Sequence, residues 1–210
     1  MDAVIFDLDG TLWDAMEPIF EAWKEALRRT AARHIDLTEP VLRSWMGKTP
    51  KEISALAFPD EPQAVQMAEM QKLYDYENEL LRHRGGRLYP QLREVLKTLE
   101  ARYALFLVSN SQNGYVQAFL DWSGLRCFRD YEMAGRTGLD KGENIRLVMA
   151  RNGVNRAVYV GDTQGDADAA KKAGVPLIFA AYGFGRVVDA EYVIQEISEL
   201  PSILEQIFSP

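Results

Sequence analysis

The chain has 210 residues, 47% apolar and 26% charged, which is ordinary for a globular protein and suits one domain with a large insertion or two small domains sharing a core. A net charge of −7, with no long basic run to offset it, argues against nucleic-acid binding. Cys127 is the only cysteine, so an intrachain disulfide and a thiol-based zinc cluster are excluded and a cytoplasmic setting fits; no apolar run reaches the roughly 18 residues of a membrane span, and no leader-like segment is expected.

Ala3 to Phe6, apolar and partly β-branched, reads as a short buried strand that runs into Asp7-Leu8-Asp9-Gly10-Thr11. Alternation in extended chain lets Asp7 and Asp9 project to one side above the strand's carboxyl end, where open parallel α/β sheets bind ligands. Two carboxylates facing one cleft repel, so the pair implies a bound cation, a shared proton, or both. Gly10 allows a sharp turn, and Thr11 offers a hydroxyl and a backbone N–H to an anion. Taken alone, Asp-x-Asp-Gly also suits an ordinary acidic turn.

Residues from about 14 to 85 carry the helical period without a strand pattern. Ile19, Phe20, Trp23, Ala26 and Leu27 share one helix face behind a cap pair of Asp14 and Glu17. Thr38 and Glu39 open a short second helix, Thr49-Pro50-Lys51-Glu52 starts a third, and Asp60-Glu61-Pro62 starts a longer fourth that Gly85-Gly86 breaks. From Leu88 onward, helices alternate with short apolar runs. Helices are expected over 90–101, 113–122, 142–152 and 165–173, and strands over 104–108, 131–134, 157–160 and 176–180. That alternation predicts an α/β fold, a Rossmann-like parallel sheet with helices on both faces. The helical block then reads as an inserted all-α cap over 14–85, dividing a core made of 1–13 and 86–210.

Three more polar clusters sit at strand ends or helix starts. Ser109 and Asn110 follow an apolar strand at a helix start that favours an anion, Lys141 heads a helix, and Asp162 and Asp166 belong to a second acidic loop after Tyr159-Val160. Each has a plain structural reading, but all fall on the carboxyl edge of one sheet. The two histidines, His34 and His83, lie in polar helical surroundings and read as surface residues, so chemistry must run on carboxylates, lysine, hydroxyls and a metal.

In these motifs the sequence resembles the haloacid-dehalogenase superfamily over essentially its whole length. Asp7 to Thr11 matches the first motif, Ser109 with Asn110 the second, Lys141 the third, and Asp162 with Asp166 the fourth; the block at 14–85 sits where phosphoglycolate phosphatase and β-phosphoglucomutase relatives carry their cap. The resemblance implies a Mg²⁺-dependent phosphatase acting on a small phosphorylated metabolite, with phosphoglycolate-type substrates leading. Asp7 would be the nucleophile and Asp9 the general acid and base; Ser109, Asn110 and Lys141 would hold phosphoryl oxygens. Mg²⁺ would be held by Asp7, Asp9 through its backbone carbonyl, and Asp162, with Asp166 close by. Asp9 speaks against dehalogenation. Lys24, Lys48 and Lys51 are available for the Schiff base of phosphonate-cleaving relatives, and Lys48 and Lys51 in the Gly47–Lys51 loop suit contact with an anionic substrate. A phosphosugar mutase and a non-catalytic binding protein on the same scaffold remain the alternatives.

Overall fold

The strand at the centre is β1 (Asp2–Phe6), whose residues 3–6 are wholly buried. It pairs in parallel with β4 (Ala104–Ser109) on one side and β6 (Arg156–Gly161) on the other. The sheet continues through β5 (Phe128–Met133) beyond β4, and through β7 (Leu177–Ala180) and β8 (Tyr192–Ile194) beyond β6, giving six parallel strands in the order β5-β4-β1-β6-β7-β8. The computed structural model describes residues 1–29 and 35–209, so the reading of His34 lies outside the described residues.

Period-two alternation sends each strand's side chains to two separate cores. Val4, Phe6, Leu105, Leu107, Val158 and Val160 face one core with α5 (Leu92–Glu100), α6 (Tyr115–Ser123) and α10 (Leu200–Phe208). Ala3, Ile5, Phe106, Val108 and Tyr159 face the other with α8 (Lys141–Arg151) and α9 (Gln164–Ala173). Burying such side chains contributes about 1.5–3 kcal/mol each, which drives closure of both layers.

Between β1 and β4 the chain leaves through β2 (Trp13–Asp14) and returns through β3 (Arg87–Leu88), an antiparallel ribbon that the sequence pattern does not reveal. Among the described residues, four helices lie between these strands: α1 (Met16–Arg29), α2 (Glu39–Trp45), α3 (Pro50–Ala57) and α4 (Gln63–Arg84). Asp14 Oδ1 accepts from the Met16 N–H at the head of α1, while Glu17 lies in the helix's first turn. Thr38 caps α2, and Thr49 with Glu52 forms a reciprocal capping box on α3. Pro62, by contrast, caps α4 without a side-chain hydrogen bond, and the helix stops at Gly85. His83 is exposed and pairs with Glu79.

Further departures concern the end of the chain. The expected strand at 131–134 is longer and earlier, and Ala134 instead opens the short helix α7 (Ala134–Thr137). β8 and α10 fall where no element was expected, although Leu200, Ile203, Leu204, Ile207 and Phe208 of α10 follow the helical period. No described helix is long and apolar enough to cross a membrane.

Candidate active site

β1 delivers Asp7 to the carboxyl edge of the sheet, where its N–H donates to the Val160 carbonyl at 2.8 Å and its side chain is buried. The chain then turns tightly, with Leu12 N–H returning to the Leu8 carbonyl at 2.9 Å. Gly10 sits in this turn at φ +79°, a backbone conformation that disfavours a side chain, and a Cβ there would overlap the Asp162 carboxyl. Asp9 faces the same opening, and its Oδ1 accepts from Tyr115 Oη at 2.6 Å and from Trp13 Nε1 at 3.0 Å. Thr11 is placed differently from expectation. Its N–H closes the turn onto the Leu8 carbonyl, its hydroxyl is buried without a partner, and it does not line the cavity above Asp7.

The second acidic loop follows β6. Thr163 caps α9, and Asp166 Oδ2 accepts from the N–H groups of Asp162 and Thr163 and from the Thr163 hydroxyl at 2.7–3.2 Å. Its other oxygen, Oδ1, takes Lys141 Nζ at 2.6 Å, and that ammonium also reaches Asp7 Oδ1 at 2.9 Å. Asp140 and Glu143 cap α8 and so aim Lys141, at the helix head, into the site. Asp162 is completely buried; Oδ2 accepts from the Phe184 N–H at 2.6 Å, and Oδ1 has no partner. Gly183 lies so close that a Cβ would strike both the Asp162 side chain and the Gly10 carbonyl.

Ser109 ends β4; it is buried and its Oγ accepts from the Ser111 N–H at 3.1 Å. Asn110 donates to the Gly47 carbonyl at 2.8 Å, tying the loop between α2 and α3 to the sheet edge. These side chains line one small cavity of about 60 Å³ with Asp7, Asp9, Lys141 and Thr163. Lys48 lines it too, at the exposed Gly47 loop, whereas Lys51 is exposed on α3 and does not. The helical block adds Trp23, Trp45, Tyr74 and Glu77, which the motif pattern had not marked, and Gln112 joins them from the polar run that follows β4. A signal for Glu77 existed, because it occupies the inward stripe Met70, Leu73, Tyr74, Leu81 of α4, a place for apolar residues.

Four carboxylates, Asp7, Asp9, Asp162 and Asp166, surround one ammonium. Burial pushes the Asp9 carboxyl up to about 7, and burial followed by the Asp166 charge does the same to Asp162. Asp7 also lies above its ordinary range, because burial outweighs the opposing pull of Lys141. Desolvation works against the Lys141 charge, but Asp166 and Asp7 prevail and hold it firmly protonated. Oxygens of Asp7, Asp162 and Asp166 approach within 4.8 Å of one another. Surplus buried negative charge, together with the orphaned Asp162 Oδ1, fits a hard cation held by oxygen ligands.

Comparison with known proteins agrees with this geometry. Residues 4–180 match the haloacid dehalogenase-like hydrolase family, and the chain belongs to it. Within that family it is an enzyme of the phosphatase class. It is 30% identical over 213 residues to a phosphoglycolate phosphatase of Pseudomonas savastanoi pv. phaseolicola, covering 96% of this chain and 78% of the relative. A phosphoglycolate phosphatase of Synechococcus elongatus is 28% identical over 88% of this chain and 85% of its own length. Among solved structures, CbbY of Rhodobacter sphaeroides in complex with phosphate shares the fold at a TM-score of 0.78 and 22% identity, covering 94% of this chain and 95% of CbbY.

Proposed function

We propose that the chain is a Mg²⁺-dependent phosphatase that cleaves a small phosphate monoester through an aspartyl-phosphate at Asp7, with phosphoglycolate, the ester in its relatives' names, as the reference substrate. The observation that carries this reading is the convergence of Asp7, Lys141, Asp162 and Asp166 at the carboxyl edge of the sheet, in a buried site with more negative charge than its one ammonium balances. Its division of labour is a helical cap over 14–85 on a core of 1–13 and 86–210, in a cytoplasmic enzyme.

Asp7 is the nucleophile, since its side chain stands at the end of β1 and faces the cavity floor. Asp9 gives its proton to the departing alkoxide and then takes one from the water that attacks the phosphoenzyme. Its raised proton affinity and the Tyr115 and Trp13 donors, which hold one oxygen and leave the other free to exchange the proton, suit both steps. Lys141 holds Asp7 in place and faces a phosphoryl oxygen, as do Ser109 and Asn110. Asp7, the Asp9 carbonyl and Asp162 would hold Mg²⁺, while Asp166, whose oxygens are engaged by Lys141 and the loop, keeps ammonium and loop in register beside it. When bound, the cation neutralises the repulsion between the Asp7 carboxylate and the phosphate dianion.

The test is phosphate release from a panel of monoesters with Mg²⁺ and with chelator, alongside Asp7→Asn. Metal-dependent release that the substitution abolishes supports the reading; release that survives either chelation or Asp7→Asn overturns it.

A further inference from the structure

The cavity end nearest Asp9 has a chemistry of its own. Asp9 protonates the leaving group in the mechanism above, so whatever departs lies on this side. Beyond it stand the rings of Trp23, Trp45 and Tyr74, with Trp23 5.8 Å from Trp45 and 6.0 Å from Tyr74, centroid to centroid. Among them is the carboxyl of Glu77, 3% exposed. Its hydrogen-bond partners are neutral: Trp23 Nε1 donates to Oε2, and Gln112 Nε2 donates to Oε1 at 2.9 Å. No ion pair among the described residues includes Glu77. Tyr74 Oη is buried without a partner beside it. Neither lysine of this cavity forms an ion pair with Glu77: Lys141 lies against Asp7 and Asp166, and Lys48 is on the Gly47 loop that Asn110 holds.

Aromatic faces around an unneutralised carboxylate are the means by which proteins bind alkylammonium groups, through cation–π attraction and a charge-assisted contact. They oppose a carboxylate, which would meet Glu77 with like charge in a low-dielectric pocket. Burial pushes Glu77 up to about 7, and a cation beside it would restore its charge. We infer that the leaving group of this enzyme's substrate carries an ammonium on a short chain, an aminoalkyl phosphate, and that Glu77 with Trp23, Trp45 and Tyr74 reads it. The inference rests on the phosphatase reading and narrows it away from glycolate. A cavity of this size admits only a short alkyl spacer.

The experiment compares kcat/KM of the Mg²⁺-loaded full chain for three esters of similar size: phosphoethanolamine, 2-hydroxyethyl phosphate and phosphoglycolate. The wild type should prefer the ammonium ester over the neutral one by about tenfold and over the carboxylate ester by more. In Glu77→Gln the ratio of ammonium to neutral ester should collapse to about one. Should that variant not fold, Trp45→Leu supplies the same ratio, expected to drop about fivefold. Preference for phosphoglycolate in the wild type overturns the inference and leaves the phosphatase reading standing. An equal loss on all three esters in Glu77→Gln also overturns it, since Glu77 would then only tie α4 to the loop after β4. Failure of all three esters together with every other monoester of the panel overturns the phosphatase reading and this inference with it.

Discussion

The acid end of the cavity and its helical end hold their polar groups by different means. At the first, the functional side chains come from strand ends, loops and helix heads along the same sheet edge, and hydrogen bonds fix them, as Asp166 is fixed by the Thr163 loop and Lys141, and Asp9 by Tyr115 and Trp13. At the second, Glu77 and the rings project from α1, α2 and α4, and the helices that carry them are joined to the core by ties that include Asn110 to Gly47, Asn78 to Asn113, Gln112 to Glu77 and Asn78, and Arg82 to Asp121. A preorganised charged floor suits a constant chemical step, and a helical roof suits a variable leaving group.

Substitutions separate the two ends by size of effect. Lys141→Met should be the most severe, removing the ammonium that pairs with both Asp7 and Asp166; turnover falls by about a thousandfold, and a denaturation curve with Mg²⁺ present shifts by about 3–5 kcal/mol because buried carboxylates lose their partner. Gly10→Ala comes next, since its Cβ would displace the Asp162 carboxyl; Mg²⁺ affinity, followed by activity against metal concentration, should weaken about 10–100-fold. At the roof, Asn110→Ala loosens the Gly47 tie and should raise KM several-fold, with about tenfold as the ceiling. Lys51→Ala, outside the cavity, should change kcat/KM by less than about twofold, unlike Lys48→Ala.

The acid end also governs the pH response of the metal-free protein. Asp162 and Asp9 rise from an ordinary 3.8 to about 7 on folding, so between those values the folded chain binds protons that the unfolded chain has released. Stability therefore falls as pH rises through that window, and Glu77 adds to the same trend. Asp130 and Glu132, held low by Arg151 and Arg136 against the opposing effect of burial, act oppositely, but only in more acid solution. Melting temperature in chelator should fall from pH 5 to 8, a range spanning the shifted values, and Mg²⁺ should raise it most at the alkaline end. A metal-free melting temperature that climbs over that range would contradict the charge surplus.

The same contrast explains what could be read from sequence. Asp7, Asp9, Asp162 and Asp166 were legible because strand and loop patterns are local: an apolar run, then acids and glycine. Lys141 was legible by its order in the chain, but its bonds to Asp7 and Asp166 span 134 and 25 residues and needed the fold. Thr11 shows the limit of local reading, because the turn that exposes Asp9 takes the Thr11 N–H for itself. Glu77, Trp23 and Trp45 come from three helices, and nothing in any one helix says that their side chains meet. β8 escaped notice because an edge strand of three residues, only Ile194 of it buried, carries too little pattern.

The most direct test is to mix the enzyme with Mg²⁺ and a turned-over monoester, quench in acid during the steady state, and locate phosphoryl groups by peptide mass spectrometry. A single acid-stable, base-labile phosphoryl group is expected on the peptide containing Asp7, absent in Asp7→Asn. Phosphate release that continues in Asp7→Asn, or a phosphoryl group on any other residue, would contradict the aspartyl-phosphate mechanism.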